Sequence, residues 1–439
     1  MQKHYKIITF GCQMNVHESE KLAGTLESLG YTATESDELA DVVVFNTCCV
    51  REAAENKAFG NIGKFKPIKA QKKDMIIAVC GCATQEKKFA EEVYKKFPFV
   101  NIVFGTHGSN KLKEYLQEVL SKKSKRIYRV LDEEPCLPVE VESFRTSGVN
   151  AWVNIMYGCD NFCTYCIVPY VRGREKSRPM EDIVLECKKL VKEGYKEITL
   201  LGQNVNSYGN TFKNGKNNFA ELLKAVDEID GNFTLKFLTS HPKDLSEEVV
   251  KVIAESKHIS HMIHLPVQCG SDRLLKLMNR NYTVEHYLNT VEMIKRYMPD
   301  VNLSTDIIVG FPTETEEDFN QTLELIKKVE YNTVFGFIYS KRSGTPAEKM
   351  DGQVPMNIKR ERVNKLLALQ KEIEKKKLTR FLGQTIKVLA TDRRDSKVFG
   401  RTDCGINVII ENVENFAVDF VNVKISKIKN SKLVGEIVK

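Results

Sequence analysis

Residues 157–166 read YGCDNFCTYC and place Cys159, Cys163 and Cys166 in one short loop. The loop directly follows the apolar run 153–156, which is typical of a buried strand. A loop with this C-x3-C-x2-C spacing can supply three thiolates to a 4Fe–4S cluster. Such a cluster usually takes four cysteine ligands, so with three cysteines one iron keeps an open coordination position. A structural zinc site needs a fourth ligand, and the next cysteine, Cys187, falls in a helical pattern. We expect an open iron–sulfur site, with zinc or chance spacing as alternatives.

Strand-like runs alternate with helical patterns around and beyond this loop. The strand candidates are 153–156, 197–201, 234–238, 261–265, 302–309 and 334–338. The helical patterns between them are 180–193, 219–228, 247–255, 284–297 and 316–329. Such alternation predicts a parallel sheet. Because six βα units fall short of the eight in a closed barrel, we expect a partial (βα)6 barrel over residues 150–375, ending in a long charged helix near 359–377.

The first 120 residues show a similar alternation. Apolar runs lie at 6–10, 42–45, 75–79 and 100–104, with helical patterns at 19–29, 52–65 and 86–96. Short apolar strands separated by helices predict a doubly wound parallel sheet with helices on both faces. The segment 121–149 is polar, contains Pro135 and Pro138, and is interpreted as a linker.

Three further cysteines each follow a strand of this N-terminal domain. Cys12, Cys48 and Cys82 are separated by 36 and 34 residues, about one βα unit each. The carboxyl ends of parallel strands emerge at one edge of a sheet, so these cysteines can converge. Gly11 and Gly81 stand beside two of them and allow close backbone approach. The pattern predicts a second three-cysteine cluster.

The chain has twelve cysteines, and not all of them can be assigned by position. Cys49 and Cys80 lie close enough to the predicted cluster to compete as ligands, and position alone does not separate them from their neighbours. Stable disulfides are not expected in a reducing cytosol, where clustered cysteines more often bind metal. Six cysteines default to packing or chance: Cys49, Cys80, Cys136, Cys187, Cys269 and Cys404.

The last 64 residues differ in character from the rest of the chain. Short strand patterns lie at 385–390, 397–401, 406–410, 420–425 and 433–437, which predicts a small antiparallel β-barrel over residues 376–439. This stretch holds 13 Lys and Arg against 7 Asp and Glu, a net charge of +6 out of +8 for the chain. A basic module suggests a nucleic-acid partner, with a merely soluble surface as the alternative.

Length and composition are those of a multidomain soluble protein. The chain has 439 residues, of which 42% are hydrophobic and 28% charged. That length suggests about two to four domains. No apolar run approaches the roughly 18 residues of a membrane span, and the N-terminus lacks the features of a signal peptide. We therefore expect a cytoplasmic protein without membrane contact.

Motifs along the whole chain resemble those of the radical S-adenosylmethionine (SAM) methylthiotransferases. The matching stretches are GCQMN at 11–15, NTCCVRE at 46–52, GC at 81–82, YGCDNFCTYC at 157–166, VRGREKSR at 171–178, LLGQNVNSYG at 200–209, TDIIVGFP at 305–312 and YSKRSGTPA at 339–347. The C-terminal module resembles a TRAM RNA-binding domain. Within the family, the first two motifs resemble the type that modifies isopentenyladenosine beside the tRNA anticodon.

The resemblance implies two 4Fe–4S clusters and SAM as cofactors. It assigns Cys12, Cys48 and Cys82 to an auxiliary cluster and the cysteines of residues 157–166 to the SAM cluster. One SAM serves as methyl donor and another as radical source. Hydrogen is removed from the adenine 2-position and a methylthio group is added there. No side chain is implied as acid or base, because the cofactor carries the chemistry.

The resemblance also implies contacts with SAM and RNA. The implied SAM contacts, mostly at strand ends, are Tyr165, Gly202, Gln203, Gln268, Ile308 and Gly310. Ser240, His241 and His264 are further candidates near strand ends, and for the two histidines a hydrogen-bonded structural role is the alternative. The implied substrate contacts are Arg172, Arg174, Arg178 and Arg342. For the three arginines of residues 171–178, which form a basic loop with Lys176, a solvated loop is the alternative.

The expected partners are the tRNA anticodon arm and an electron donor such as a flavodoxin-type protein, and we expect a monomer. Two alternative functions stay open. One is a methylthiotransferase that acts on threonylcarbamoyl-adenosine or on a ribosomal-protein aspartate. The other is a non-catalytic RNA-binding iron–sulfur protein.

Overall fold

The computed structural model of the chain describes residues 2–49, 52–130, 144–145, 148–212, 218–395, 397–413 and 416–438. They belong to two compact units. The first comprises Met1–Thr146, Met156–Asp160 and Cys166–Lys176, and the second comprises Ser147–Ile155, Asn161–Tyr165 and Ser177–Lys439. Pro135, Cys136 and Pro138 of the predicted linker lie outside the described residues. No helix of the described ranges is long and apolar enough to cross a membrane.

The N-terminal part of the chain forms a parallel sheet with helices between its strands. In chain order the elements are β1 (Lys3–Thr9), α1 (Gln13–Ser28), β2 (Tyr31–Ala33), β3 (Val42–Thr47), α2 (Glu52–Gln71), β4 (Ile76–Gly81), α3 (Cys82–Gln85), α4 (Lys87–Lys96), β5 (Ile102–Phe104), α5 (Leu112–Leu120) and β6 (Ile127–Arg129). The strand order is β2-β1-β3-β4-β5-β6, with every neighbouring pair parallel. This confirms the predicted doubly wound sheet.

The central strands β3 and β4 separate two hydrophobic cores. Every residue of both strands is buried. Successive side chains of a strand point to opposite faces. Val43 and Phe45 therefore pack in one core and Val42 and Val44 in the other. Burial on both faces explains why these strands appear in the sequence as unbroken apolar runs.

The middle of the chain contains six parallel strands (β7 and β10 to β14) with helices between them, and two short strands, β8 and β9, that pair separately. In chain order the elements are β7 (Asn150–Asn154), β8 (Met156–Tyr157), α6 (Val168–Arg172), β9 (Lys176–Ser177), α7 (Met180–Lys192), β10 (Glu197–Leu201), α8 (Phe219–Asp227), β11 (Thr234–Leu238), α9 (Glu247–Glu255), β12 (Met262–His264), α10 (Asp272–Leu277), α11 (Val284–Tyr297), β13 (Asn302–Val309), α12 (Glu316–Val329), β14 (Thr333–Ile338) and α13 (Met356–Leu378).

These six strands form the predicted open, partial barrel. β7, β10 and β11 make one parallel ladder, and β12, β13 and β14 make another. An isolated parallel bridge joins Leu235 of β11 to Ile259, just before β12. The fold class is confirmed, although the ladder is interrupted at its centre.

The C-terminal residues form a closed five-stranded barrel. Its strands are β15 (Thr385–Arg394), β16 (Lys397–Thr402), β17 (Asn407–Glu411), β18 (Asp419–Lys429) and β19 (Lys432–Ile437), in the order β15-β16-β17-β19-β18. Neighbouring strands are antiparallel except β17 and β19, which are parallel. Closure leaves no free edge strand.

This C-terminal barrel is anchored at the amino ends of strands of the partial barrel. Arg401 binds the buried Glu197 carboxylate at the start of β10 in a bidentate manner, at 2.7 and 2.9 Å. The same carboxylate accepts from Lys236 at 2.5 Å. Asn302, the first residue of β13, donates to the Cys404 carbonyl at 2.6 Å. Buried, charge-assisted contacts of this kind fix the attachment.

Candidate functional site

The loops that carry Cys12, Cys48 and Cys82 approach one another at the carboxyl edge of the N-terminal sheet. A Cβ on Gly11, whose φ is +111°, would lie 2.6 Å from the Cys48 Sγ. A Cβ on Gly81, whose φ is +103°, would lie 2.3 Å from the Thr47 carbonyl oxygen. Only glycine fits both the backbone conformation and the space. The backbone before Cys12 thus lies against Cys48, and the backbone before Cys82 lies against the residue that precedes Cys48.

The Asn15 side chain links these loops. Its Nδ2 donates to the Phe10 and Thr47 carbonyls, both at 2.9 Å, just before the loops that carry Cys12 and Cys48. Its Oδ1 accepts from the Cys82 thiol at 3.7 Å. The Asn46 side chain donates in turn to the Asn15 carbonyl at 2.9 Å. Sequence reasoning did not identify these two asparagines, although both stand in the quoted motifs GCQMN and NTCCVRE.

The Cys49 thiol and the Arg172 guanidinium both lie beside Cys82. The Cys49 thiol hydrogen-bonds Cys82, which lowers the pKa of Cys82 to about 6, with the positive charge of Arg172 acting in the same direction. The same hydrogen bond, together with burial, raises the pKa of Cys49 well above its usual value. Cys80 packs in the opposite core, away from Cys49 and Cys82. Of the two residues that compete as ligands, Cys49 therefore lies beside Cys82, whereas Cys80 does not.

The three predicted ligands do not form a single-ion site among the described residues. In the part of the chain that the structure describes, no three Cys, His, Asp or Glu side chains close around one point as single-ion ligands would. The thiolates of a cubane bind separate iron atoms, so they need not converge on one point. We refer to Cys12, Cys48 and Cys82 as the auxiliary site.

The loop that carries Cys163 is held within the second unit by the turn after α10. The Asn279 side chain donates to the Asn161 and Phe162 carbonyls, both at 3.1 Å. Arg280, only 4% exposed, lies 3.4 Å from the Cys163 Sγ and donates to the Pro266 carbonyl at 2.7 Å. A buried cation beside a thiolate favours the deprotonated, ligating form. Sequence reasoning also missed Arg280.

Cys159 and Cys166 belong to the first unit. Both are partly exposed. The Cys159 amide donates to the Gly173 carbonyl at 3.2 Å. Gly158, with φ +70°, has no room for a Cβ because the Arg174 carbonyl would lie 2.1 Å away. The backbone before Cys159 is therefore fixed against the segment that follows Cys166.

The residues predicted to contact SAM lie at strand ends of the second unit. Tyr165 and Ile308 pack against one hydrophobic cluster. Gln268 has φ +76° and its amide donates to the Asp306 carbonyl at 2.9 Å. Gly310 has φ +73° and its amide donates to the Glu314 carboxylate at 2.6 Å. Gly202 and Gln203 directly follow β10.

Several buried polar atoms at the ends of β10 and β11 have no hydrogen-bond partner among the described residues. They are Asn204 Oδ1, Ser240 Oγ and His241 Nε2, joined by Asn206 Nδ2. Burial, with the charges of Arg280 and Lys243, lowers the pKa of His241 to about 2, so this ring is neutral at ordinary pH. Buried polar atoms normally have partners. This edge is therefore suited to a polar ligand.

His264 is hydrogen-bonded within the sheet, which is the structural role expected as the alternative to a functional one. Its Nδ1 lies 3.0 Å from the Ser304 hydroxyl, and its Nε2 lies 3.5 Å from the Asp306 carboxylate. Both partners stand on β13, the strand beside β12. The ring therefore ties two neighbouring strands together.

The four arginines predicted to contact substrate differ in their surroundings. The Arg174 side chain is 63% exposed and pairs with Asp160 at 3.0 Å. Arg178 donates to the Asn154 carbonyl at 2.6 Å and pairs with Glu186 at 2.9 Å. Arg342 is partly exposed, whereas Arg172 is buried. The segment 171–178 is thus not a uniformly exposed basic loop.

Comparison with known proteins gives family matches over both α/β regions. Residues 153–326 match the Radical SAM superfamily, and residues 4–105 match Uncharacterized protein family UPF0004. Among solved structures, the radical S-adenosylmethionine methyltransferase TsrM from Kitasatospora setae is similar with a TM-score of 0.58 at 13% identity. That match covers 79% of this chain and 74% of TsrM, and it supports the fold alone.

Curated relatives match along the whole chain. The tRNA-2-methylthio-N(6)-dimethylallyladenosine synthase of Clostridium beijerinckii is 49% identical over 100% of this chain and 96% of its own length. The synthase of the same name from Clostridium tetani is 51% identical over 98% of this chain and 95% of its own length. The chain therefore belongs to the radical SAM family of tRNA-2-methylthio-N(6)-dimethylallyladenosine synthases.

Proposed function

We propose that the chain is a radical SAM transferase that adds a methylthio group to the adenine 2-position of isopentenyladenosine beside the tRNA anticodon. The observation that carries this proposal is the meeting of three cysteine loops at the carboxyl edge of the N-terminal sheet, in a chain that also has the C-x3-C-x2-C loop. Two thiol sets suit an enzyme that uses two clusters. The names of the relatives supply the substrate.

Two 4Fe–4S clusters and SAM are the cofactors. Cys159, Cys163 and Cys166 would hold the SAM cluster, and the auxiliary site would hold the other. When bound, SAM and this cluster would supply radical chemistry, which suits an aromatic C–H bond that no side-chain base can deprotonate.

The chain's own residues have the task of binding and orientation. Tyr165, Ile308 and the strand-end residues Gly202, Gln203, Gln268 and Gly310 are our candidates for SAM contacts. The buried neutral His241 and the unpartnered Asn204 oxygen offer further hydrogen bonds to a polar ligand. Arg280 keeps a positive charge beside the Cys163 sulfur. None of these groups needs to act as an acid or base.

The C-terminal barrel is our candidate for binding the tRNA anticodon arm. Its net positive charge suits phosphate contacts, which make affinity strongly dependent on salt. Among the predicted arginines, Arg174 and Arg342 are accessible enough to contribute, whereas Arg172 and Arg178 are engaged inside the protein. We also propose a cytoplasmic monomer that takes electrons from a flavodoxin-type protein.

The first test is whether the two thiol sets behave as ligands. Anaerobically reconstituted protein should contain iron and sulfide for two cubanes. Cys82→Ala should lose about half of both. Cys80→Ala is the matched control, because this residue is equally buried, lies two positions away and faces the opposite core. If Cys82→Ala retained both clusters, the auxiliary site would be assigned wrongly.

The second test is the reaction itself. With SAM and a strong reductant, the wild-type protein should form 5′-deoxyadenosine, and Cys163→Ala should not. Cys187→Ala is the control, since this cysteine is buried inside α7. Mass spectrometry of nucleosides should then show methylthiolation of isopentenylated tRNA. Methylthiolation of threonylcarbamoyl-adenosine tRNA or of a ribosomal protein instead would overturn the proposed substrate. A protein that never forms 5′-deoxyadenosine would be a non-catalytic iron–sulfur protein.

A further inference from the structure

Arg172 is a buried cation that makes no ion pair with any carboxylate whose position the structure describes. It is 7% exposed, and its Nη2 donates to the Asn15 Oδ1 at 3.0 Å. The carboxylate that acts on it electrostatically is that of Glu18, which forms no ion pair with it. A buried charge without a counter-ion is costly. Its surroundings must therefore supply negative charge in the working protein.

The groups that can supply this charge are the thiols of the auxiliary site. Arg172 hydrogen-bonds Cys82 and interacts electrostatically with Cys12. The Asn15 Oδ1 that accepts from Arg172 also accepts from the Cys82 thiol. We propose that Arg172 is a positioning residue for the auxiliary cluster, which lies beside the Cys82 sulfur and balances the negative charge of the thiolates and of the cluster they bind.

The backbone around Arg172 keeps the guanidinium in this position. Ile167 and Val171 pack in the same core as Cys82. The Thr106 hydroxyl donates to the Val171 carbonyl at 2.6 Å. Gly173, with φ +76°, ends α6 directly after Arg172. The guanidinium therefore extends from a short helix whose backbone is fixed on both sides.

The position of Arg172 in the chain links it to the other cysteine set. Cys166, a proposed ligand of the SAM cluster, lies only six residues before it, and both residues belong to the first unit. One short segment thus carries a ligand of one cluster and the counter-charge of the other. This inference rests on the proposed function, since it needs a cluster at the auxiliary site.

The expected effect of Arg172 follows from charge. Each electron added to a cluster adds a negative charge, so a nearby buried cation stabilises the reduced form and raises the reduction potential. A group that orients a ligand also slows loss of metal, and removing such a group typically costs about 10- to 100-fold in metal affinity. RNA phosphate contact is the competing role, and the burial of Arg172 argues against it.

The test uses a full-length parent, Cys159→Ala/Cys163→Ala/Cys166→Ala, in which only the auxiliary cluster can assemble. Arg172→Gln in this parent should release iron to a chelator about 10-fold faster or more. Its reduction potential, followed by electron paramagnetic resonance, should move to a more negative value. Arg174→Gln is the matched control, because it removes the same charge two residues away from an exposed side chain.

The outcomes separate this inference from the proposed function. A parent that binds no iron would refute the auxiliary site itself, and with it the proposed function. A parent that binds iron, but in which Arg172→Gln behaves like Arg174→Gln, would overturn the role of Arg172 alone. The role of Arg172 would also be overturned if Arg172→Gln and Arg174→Gln weakened tRNA binding equally and left the cluster unchanged.

A conservative variant covers the case in which Arg172→Gln does not fold. Arg172→Lys keeps the charge but loses the planar fork of the guanidinium. Its rate of iron release should fall between those of the parent and of Arg172→Gln. Its reduction potential should stay close to that of the parent, because the charge is kept. A potential that moved clearly away from the parent's although the charge is kept would overturn the proposal.

Discussion

Gly81 occupies a backbone conformation and a space that no other residue can share. Its φ and ψ are +103° and −166°, a region reached almost only by glycine. A Cβ there would lie 2.3 Å from the Thr47 carbonyl oxygen and 2.5 Å from the Asn46 Oδ1. Gly81→Ala therefore forces the loop before Cys82 away from the loop before Cys48. We expect both lower stability and weaker cluster binding.

The size of the effect of Gly81→Ala can be worked out from these two causes. The backbone conformation costs a non-glycine residue about 1–3 kcal/mol. Overpacking against fixed neighbours typically adds about 1–3 kcal/mol. The free energy of unfolding should therefore fall by about 2–6 kcal/mol, a large fraction of the roughly 5–15 kcal/mol of a typical domain.

Two other glycines of the same unit separate the two causes. Gly30 has φ +83°, but a Cβ added there would meet no atom within 4 Å, so Gly30→Ala should cost only about 1–2 kcal/mol of backbone strain. Gly60 lies exposed in α2 with open space around it, so Gly60→Ala should stabilise by about 0.5–1 kcal/mol. The free energy of unfolding is thus expected to be highest in Gly60→Ala, lower in Gly30→Ala and lowest in Gly81→Ala.

The assay is urea unfolding of the cluster-free protein, followed by circular dichroism, with iron content after reconstitution as the second measurement. Gly81→Ala should show the lowest midpoint and bind about half of the iron of the wild-type protein. The other two variants should bind a full complement. If Gly81→Ala unfolded at the same urea concentration as Gly30→Ala, the close approach of the two loops would be refuted.

Three further substitutions test other contacts. Asn15→Ala should cost about 2–6 kcal/mol in urea unfolding, because two buried loop carbonyls lose their donor at about 1–3 kcal/mol each, and an unchanged midpoint would contradict that linking role. Arg401→Ala should cost about 1.5–3 kcal/mol, since Glu197 loses a charged partner, whereas the exposed control Arg394→Ala should stay within about 1 kcal/mol. Burial by itself would raise the pKa of Asp318, but its hydrogen bonds hold it well below the usual range. Its stabilising effect should therefore be present above about pH 4 and decline as the pH falls further. The midpoint difference between wild type and Asp318→Asn should shrink on acidification, and a difference that grew would contradict this sign.

The elements that could be predicted from sequence are those with strong local patterns. The buried runs 42–45 and 75–79 lie in β3 and β4, whose unbroken apolar sequence follows from burial on both faces. The edge strands β2 and β6 were missed, because three residues carry too little pattern. The helix predicted at 52–65 continues through Pro67 to Gln71. Proline usually ends a helix, so its local signal pointed the other way.

Sequence spacing singles out the six cysteines as candidate ligands, but it does not reveal the side chains that contact them in the fold. Cysteine spacing reflects chemistry and topology, both of which leave a trace in sequence. The contact between Arg172 and Asn15 joins residues 157 positions apart, and nothing local to either residue encodes it. The same holds for Arg280 and Cys163, separated by 117 positions. In VRGREKSR all three arginines look alike, and only the folded chain distinguishes the buried Arg172 and the partly buried Arg178 from the exposed Arg174.

The attachment of the C-terminal barrel constrains how this protein can evolve. Arg401 meets the Glu197 carboxylate inside the structure, and Asn302 meets the Cys404 carbonyl. Recombination that replaced residues 379–439 with an unrelated RNA-binding module would leave the buried Glu197 carboxylate with Lys236 as its remaining charged partner and the Asn302 amide without its acceptor. A successful exchange must therefore bring an arginine at the position of Arg401, or change Glu197 at the same time. The two regions are expected to be inherited together.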